Sequence, residues 1–343
     1  MLIVRPVVEQ DMPAVEALAK QAGSGLTNLT EDRDYLTALI ANTQRSLRDA
    51  PDEFLARDSY HFVLEDLATD QVVGIAGVQS AIGITSPYYS YRIDEIVHAS
   101  NELEIHNRMP ALHLCQDYTG CSRFCSLFIA PEYRSPANLQ LLSRARMMFM
   151  AQYPERFARR TVAELQGLLD ENGQSPFWES LGRDFCNMEF AQADYLTAID
   201  SKSFIADLMP RFPVYTTLLT PAARKALGQP RPDIEPVMDL LEDEGFVYRG
   251  YVDIFDAGPT IECRTSDIRT VDQSVCADVN VADTPADNEW VLVSNNRLLD
   301  YRCMLVPASA DGLPVMSDEQ VSALLAEAQI RTIPVAAAEI ALG

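Results

Sequence analysis

Glu164 stands inside TVAELQG (Thr161 to Gly167), an otherwise apolar stretch that reads as a strand. A carboxylate so placed serves either as half of an ion pair in a sheet or as a base or amine anchor. Four histidines occur, at 61, 98, 106 and 113. His61 and His113 fall in apolar strand-like runs and are expected as structural side chains, whereas His98 and His106 lie near a meander and are freer to handle protons. Arg231, in GQPRPD, keeps its proton at any ordinary pH, so it can hold an anion or offset a developing negative charge but cannot act as an acid. Asp94, Glu95 and Asp117 suit a cationic ligand or, equally, a solvated surface. The seven cysteines, at 115, 121, 125, 186, 263, 276 and 303, are odd in number, irregular in spacing and without a C-x-x-C. They read as reduced, mostly buried thiols, with no metal site and no disulfide framework.

The elements that must position these residues follow from local pattern. LIVRPV is a strand, and DMPAVEALAKQAG a helix with Asp11 as N-cap, Pro13 in its first turn and Gly23 as its stop. A second helix is expected over Asp32 to Leu47. YHFVLED and VVGIAGVQSAIGI form a hairpin, and YYSYRIDEIVHAS and ALHLCQDY continue an antiparallel meander. CSLFIA is a strand; a short polar turn follows, then a helix over Pro136 to Gln152 and the Glu164 strand. That β–α–β unit forces a parallel pair into the middle of the sheet. SPFWESLG predicts a short helix ended by Gly182. PRPDIEP is a loop, followed by a helix through VMDLLEDEG and a strand through YRGYVDIF. From Gly258 the segments shorten and turn signals recur, which suggests a small all-β appendage. The expected class is α+β with a central mixed sheet, divided into regions 1–257 and 258–343.

The 343 residues are about half hydrophobic, enough for a sizeable core, and no apolar run approaches the ~18 residues that span a bilayer. MLIVRPVVEQD lacks the basic start and apolar stretch of a secretory signal, so the reading is a soluble, cytoplasmic protein. A formal net charge of −23 argues against nucleic acid and anionic membranes as main partners. It leaves room for an anionic cofactor, because local arginines and helix N-termini outweigh a distant charge.

Leu127 to Met150 resembles the strand–loop–helix with which GNAT acyltransferases hold the coenzyme A pyrophosphate. SPFWESLGRDF resembles their F-Y-x-x-x-G-F helix through Phe177, Trp178, Gly182 and Phe185. More specifically, the chain resembles the arginine N-succinyltransferase family. The likeness is carried in order by IVRPV, FVLED, VGIAG, YYSYR, VHAS, DYTGCS, SPFWESLGRDF, FIADLMP, EGFVYRGYVDIFDAGP and the Ile268–Arg269 pair. The resemblance implies a GNAT-type core, a small β-rich C-terminal region and transfer of succinyl from succinyl-CoA to the α-amine of L-arginine. Some members act on ornithine, and some work as paired, non-identical subunits. A homo-oligomer, or a hetero-oligomer with a sibling subunit, is therefore expected.

The resemblance also assigns residues. Leu127, Phe128 and Ile129 take the place of the strand that meets the pantetheine arm, and Arg134, Ser135 and Asn138 that of the pyrophosphate turn. Ala137 and Leu139 stand where the usual R-x-x-G-x-G pattern has glycines, and Pro136 removes an N–H donor. Leu139 is expected to crowd the turn or change its shape. Trp178 takes the place of the usual acid tyrosine, and its indole N–H is no useful acid. Arg231 falls where the family has a proton-donating His in G-Q-x-H-P, leaving Glu164 and His98 as the candidates for proton handling. An oxyanion would meet a strand N–H near Leu127 or Phe128, and the succinyl carboxylate a base such as Arg231 or Arg92. Three functions follow: an active arginine or ornithine succinyltransferase, a non-catalytic subunit paired with an intact sibling, or a GNAT enzyme for another amine.

Overall fold

Ser135 and Pro136 set the start of the central helix, α3 (Pro136–Gln152). The Ser135 hydroxyl accepts the Asn138 N–H at 3.2 Å, and Pro136 fills the first helical position, where no N–H is needed. Pro154 follows its end. The computed structural model describes residues 1–23, 29–51, 54–199, 207–279, 284–286 and 289–340. Part of FIADLMP, residues 204–206, lies outside the described residues.

Within that set the strands are β1 (Leu2–Pro6), β2 (Ser59–Asp66), β3 (Gln71–Gln79), β4 (Ser90–Ser100), β5 (Ile105–Cys115), β6 (Ser122–Ile129) and β7 (Arg160–Glu164). Then come β8 (Val214–Tyr215), β9 (Val247–Val252), β10 (Pro259–Arg264), β11 (Val275–Asp278), β12 (Trp290–Asn295), β13 (Cys303–Pro307) and β14 (Gln329–Val335). They form one 14-stranded sheet in the order β11-β14-β12-β13-β1-β2-β3-β6-β7-β10-β9-β4-β5-β8. Among the described residues β6–β7 is the sole parallel pair, and it sits mid-sheet, as the β–α–β reading required.

Strand alternation sends successive side chains to opposite faces. Phe62 and Leu64 join α3 in the main core with Phe124, Ala163 and Phe149. Val63 faces the other way, toward α1 (Met12–Ala22) and α2 (Arg33–Arg48), with Ile75 and Phe128. Fully burying a side chain of this kind stabilises the fold by about 1.5–3 kcal/mol. Gln140 to Met150 are all buried because the short helices Arg269–Gln273 and Ala337–Ile340 cover the outer side of α3.

Two expectations are corrected. The stretch after Gly258 is not a separate all-β appendage. β10 lies between β7 and β9, β13 joins β1 through Val4 and Cys303, and the helices Arg269–Gln273, Asp318–Leu324 and Ala337–Ile340 interrupt the strands. Its apolar strands are buried by pairing into the larger sheet, so both regions share one hydrogen-bonded layer. Nor does Gly182 end a helix. Its φ of −62° is helical, the chain continues to Cys186, and Asn187 at φ 48° terminates it. Glycine is required because a Cβ there would lie 2.2 Å from Trp178 Cε3. Gly182→Ala is therefore expected to destabilise the protein by about 1–3 kcal/mol, by overpacking. Urea denaturation checks this, and an unchanged midpoint would show that the ring can move aside.

Candidate active site

β6 and β7 begin as partners and then part. Their pairing covers Ser122–Thr161, Arg123–Val162 and Phe124–Ala163. Beyond it β6 stays with β3, through Gly77–Cys125, Ile75–Phe128 and Gly74–Ile129, while β7 stays with β10, where Glu164 faces Thr260. The β3–β6 register slips between Ile75 and Gly77, and Ser126 takes a left-handed backbone with φ 56°. The cleft so opened holds about 70 Å³ and is lined by Cys125, Ser126, Leu127, Glu164 and Gln166 among others. An unpaired strand edge of this sort offers N–H and C=O groups to a ligand.

The turn beyond the cleft is held by its own side chains. Arg134 Nε donates to Ile129 O at 3.0 Å, and its guanidinium carbon lies 5.4 Å from the Phe128 ring centre. Asn138 Nδ2 donates to Tyr133 O at 2.6 Å. Phe128 and Ile129 commit their side chains to the two cores and pair with Ile75 and Gly74 of β3, so only backbone groups on the β7 side of β6 can meet a ligand. Ala137 and Leu139 pack against the main core. Leu139 therefore points inward and does not crowd the turn, because the helix begins regularly at Pro136 and turns that position toward the sheet.

Glu164 projects from the face opposite α3, since its neighbours Ala163 and Leu165 belong to the α3 core. Arg123 Nη1 donates to Glu164 Oε2 at 3.3 Å, and Arg123 Nε donates to Gln79 Oε1 at 2.9 Å. Tyr88 lies against the same guanidinium, 5.3 Å from ring centre to Arg123 Cζ. Burial and then the Glu164 charge push the Tyr88 hydroxyl well above the usual phenol range. Close by, Asp256 accepts the Gly167 and Gly258 N–H groups at 2.7 Å each. Burial, opposed by those bonds and aided by the charges of Glu164 and Asp194, raises it to about 6. Glu164 and Asp256 thus act on each other here, while Arg123 and Arg146 place positive charge at the back of the same cleft.

Arg231 is tied to the same strand extension. Its N–H donates to Gln166 O at 2.8 Å, and Nη2 donates to Gln166 Oε1 at 2.9 Å. Asp233 grips the guanidinium through two oxygens at 2.5 and 2.9 Å. Burial would raise Asp233, but the hydrogen bond and charge of Arg231, with a smaller share from Arg134, hold it below the usual carboxylate range. Arg231 is thus fixed beside Gln166, which lines the cleft, while Arg134 is held at the end of β6.

His98 is not brought there. It lies six residues, about 20 Å, along β4 from Arg92, where β4 meets β9, and its Nε2 is 3.0 Å from Tyr215 Oη. Arg92, Asp94 and Asp117 satisfy one another at 2.8 and 2.9 Å, with Tyr251 donating to Asp117 at 2.8 Å. Trp178 is fully buried and donates Nε1–H to Met188 O at 2.9 Å. Among the described residues no cluster of three or more His, Cys, Asp or Glu has metal-binding geometry. Sequence reasoning set His61 aside, yet its ring reaches the back of the cleft at Cys125 and Ser126. The only local sign was the glycine at 77, which opens the way for it.

A family model described as arginine N-succinyltransferase beta subunit matches residues 2–270. The chain belongs to the arginine N-succinyltransferase family. It is 43% identical over 339 residues to the arginine N-succinyltransferase subunit beta of Pseudomonas aeruginosa, covering 98% of this chain and 99% of that one. It is 42% identical to the arginine N-succinyltransferase of Citrobacter koseri, over 91% of this chain and 90% of that one. A solved structure, the arginine/ornithine succinyltransferase subunit AI from Pseudomonas aeruginosa, superposes with a TM-score of 0.89 at 36% identity, over 98% and 99% of the two chains. Against that arginine N-succinyltransferase background, the departures noted in the sequence fall in the first turn of α3, at Ala137 and Leu139, and in the Gly228–Pro232 loop, where Arg231 is bonded to Gln166 of the cleft.

Proposed function

We propose that this chain is an arginine N-succinyltransferase, an acyltransferase that moves succinyl from succinyl-CoA to the α-amine of L-arginine. The observation that carries the reading is end-to-end similarity to succinyltransferases of that name. In this reading the β6–β7 cleft is a GNAT-type acyl-CoA site. The pantetheine arm lies along Leu127, Phe128 and Ile129. The pyrophosphate rests on the turn of Arg134, Ser135 and Asn138, at the positive end of α3. Glu164 takes a proton from the substrate ammonium, and the free amine attacks the thioester carbonyl. The C–N bond forms, a strand N–H meets the oxyanion, the C–S bond breaks, and the thiol leaves with a proton. No covalent enzyme intermediate and no metal is required. The protein works in the cytoplasm as an oligomer, and among the described residues no helix is long and apolar enough to cross a membrane.

Thiol release from succinyl-CoA, with and without L-arginine, tests the activity. Arginine-dependent release is the expected result, and silence from the folded chain would refute a stand-alone enzyme. One observation favours a second reading, a subunit that depends on a sibling: an arginine stands at 231 where the resemblance leads one to expect a histidine. In that case release appears only on co-expression.

Arg231 is proposed to bind the succinyl carboxylate. Arg231→Ala is then expected to raise KM for succinyl-CoA about 10–100-fold, the range of a charge-assisted hydrogen bond worth about 1.5–3 kcal/mol. Turnover of acetyl-CoA, which lacks that carboxylate, provides the control. An equal loss on both donors would assign Arg231 to the loop alone.

A further inference from the structure

His61 takes no part in the reaction steps above, yet its ring arrives at the thioester end of β6 from β2, two strands away. A gap in β3 lets it through. Gly77 pairs directly with His61, and a Cβ there would lie 2.5 Å from both Cδ2 and Nε2 of the ring. Beyond the gap Nε2 stands 3.4 Å from Ser126 Oγ and 3.8 Å from Cys125 Sγ. On the near side Nδ1 is 3.3 Å from Thr43 Oγ1, and that oxygen accepts the His61 backbone N–H at 3.1 Å. With the Thr43 hydroxyl donating to Nδ1, Nε2 carries the ring proton and aims it at Ser126 Oγ. Burial, reinforced by the charges of Arg146 and Arg123, lowers the imidazole pKa to about 3. The ring is therefore held neutral, with its Nε2 proton directed at Ser126 Oγ.

Its target is the one residue of β6 with a left-handed backbone. A non-glycine residue in that region costs about 1–2 kcal/mol, so its surroundings must hold it there. The slip at Ser126 also marks where β6 leaves β7 and presents its edge to the cleft. We infer that His61 is a positioning residue which, by fixing the Ser126 bulge, aims the β6 N–H groups at the thioester carbonyl. This rests on the reading of the β6–β7 cleft as the acyl-CoA site.

His61→Phe keeps the ring volume and removes both nitrogens. It is expected to lower kcat about tenfold, a fraction of the roughly hundredfold that a 1 Å misplacement costs. KM for L-arginine should stay within about twofold, and the shape of the pH–rate profile should not change. His61→Gln, whose amide restores a polar contact toward Ser126, should recover most of the loss. Should the phenylalanine variant fail to fold, Thr43→Val loosens the same ring from its other side and should reproduce the fall in kcat. Equilibrium affinity for succinyl-CoA, weakened several-fold by His61→Phe and restored by His61→Gln, reads the same effect in a chain that needs a sibling for turnover. Unchanged kcat and affinity in these variants would overturn the positioning role, and loss of one limb of the pH profile would replace it with proton handling. The cleft reading fails separately, if the wild-type chain binds no succinyl-CoA or if Leu127→Arg leaves its binding intact.

Discussion

Replacing Glu164 by glutamine is expected to lower kcat for L-arginine by about 10²–10³-fold while the protein remains folded, within the range general-base catalysis supplies. The amide keeps the size of the carboxylate and an oxygen for Arg123 Nη1, now 3.3 Å away, but has neither charge nor basicity. The test separates two roles that coexist at this position. As an ion-pair partner alone, Glu164 would show its loss as a lower unfolding midpoint with unchanged kcat. As the base, it shows the reverse. Geometry favours the second outcome: the carboxylate stands at the last residue of β7, where that strand has parted from β6, and it lines the cleft.

Arg144→Met is expected to cost about 3–5 kcal/mol of stability, the cost of leaving a buried charge without its partner. Arg144 and Glu244 are both fully buried, with Nε 2.8 Å from Glu244 Oε1, while Arg144 Nη2 lies 2.7 Å from Glu339 Oε1. Glu244 also accepts the Thr270 N–H at 2.7 Å and the Thr270 hydroxyl at 2.9 Å. These contacts fasten the covering helices to α3. Burial already raises the Glu244 carboxyl, with Arg144 the largest force opposing it. Without Arg144 the folded-state value rises further above the unfolded one. The folded variant then holds a proton that the unfolded chain releases as pH rises, so stability falls with rising pH across that window. The deficit against wild type should thus be larger at pH 8 than at pH 5 in urea denaturation. A deficit below about 1 kcal/mol, or one independent of pH, would mean that Arg269, 3.5 Å from Glu244, takes over the charge.

Much of the fold was legible because its signals are local. Asp32 caps α2 by accepting the Tyr35 N–H, and Ser135, Pro136 and Pro154 bracket α3, so both helices fall where short-range pattern puts them. Gly182 shows the limit. A glycine that stops a helix and one that makes room for a ring look alike in sequence, and only the Trp178 rotamer distinguishes them. His98 and His61 show it for the site. The first was freer by pattern but lies on a distant part of β4, and the second was buried by pattern yet reaches the cleft through a gap in another strand.

By itself, then, the sequence determined the order of strands and helices through β7, the parallel pair at β6–β7, the negative field and the family likeness. Each depends on residues close in the chain, or on summed charge and collinear similarity. Tertiary structure alone decided that β10 enters mid-sheet, that Arg231 bonds Gln166, that Glu164 meets Arg123 and that His61 backs Ser126. Those contacts join residues about 40 to 100 positions apart. Their meeting is set by strand register and by which small residues let a side chain pass, and because side chains alternate between faces, a slip of one residue would send every one of them to the other side of the sheet.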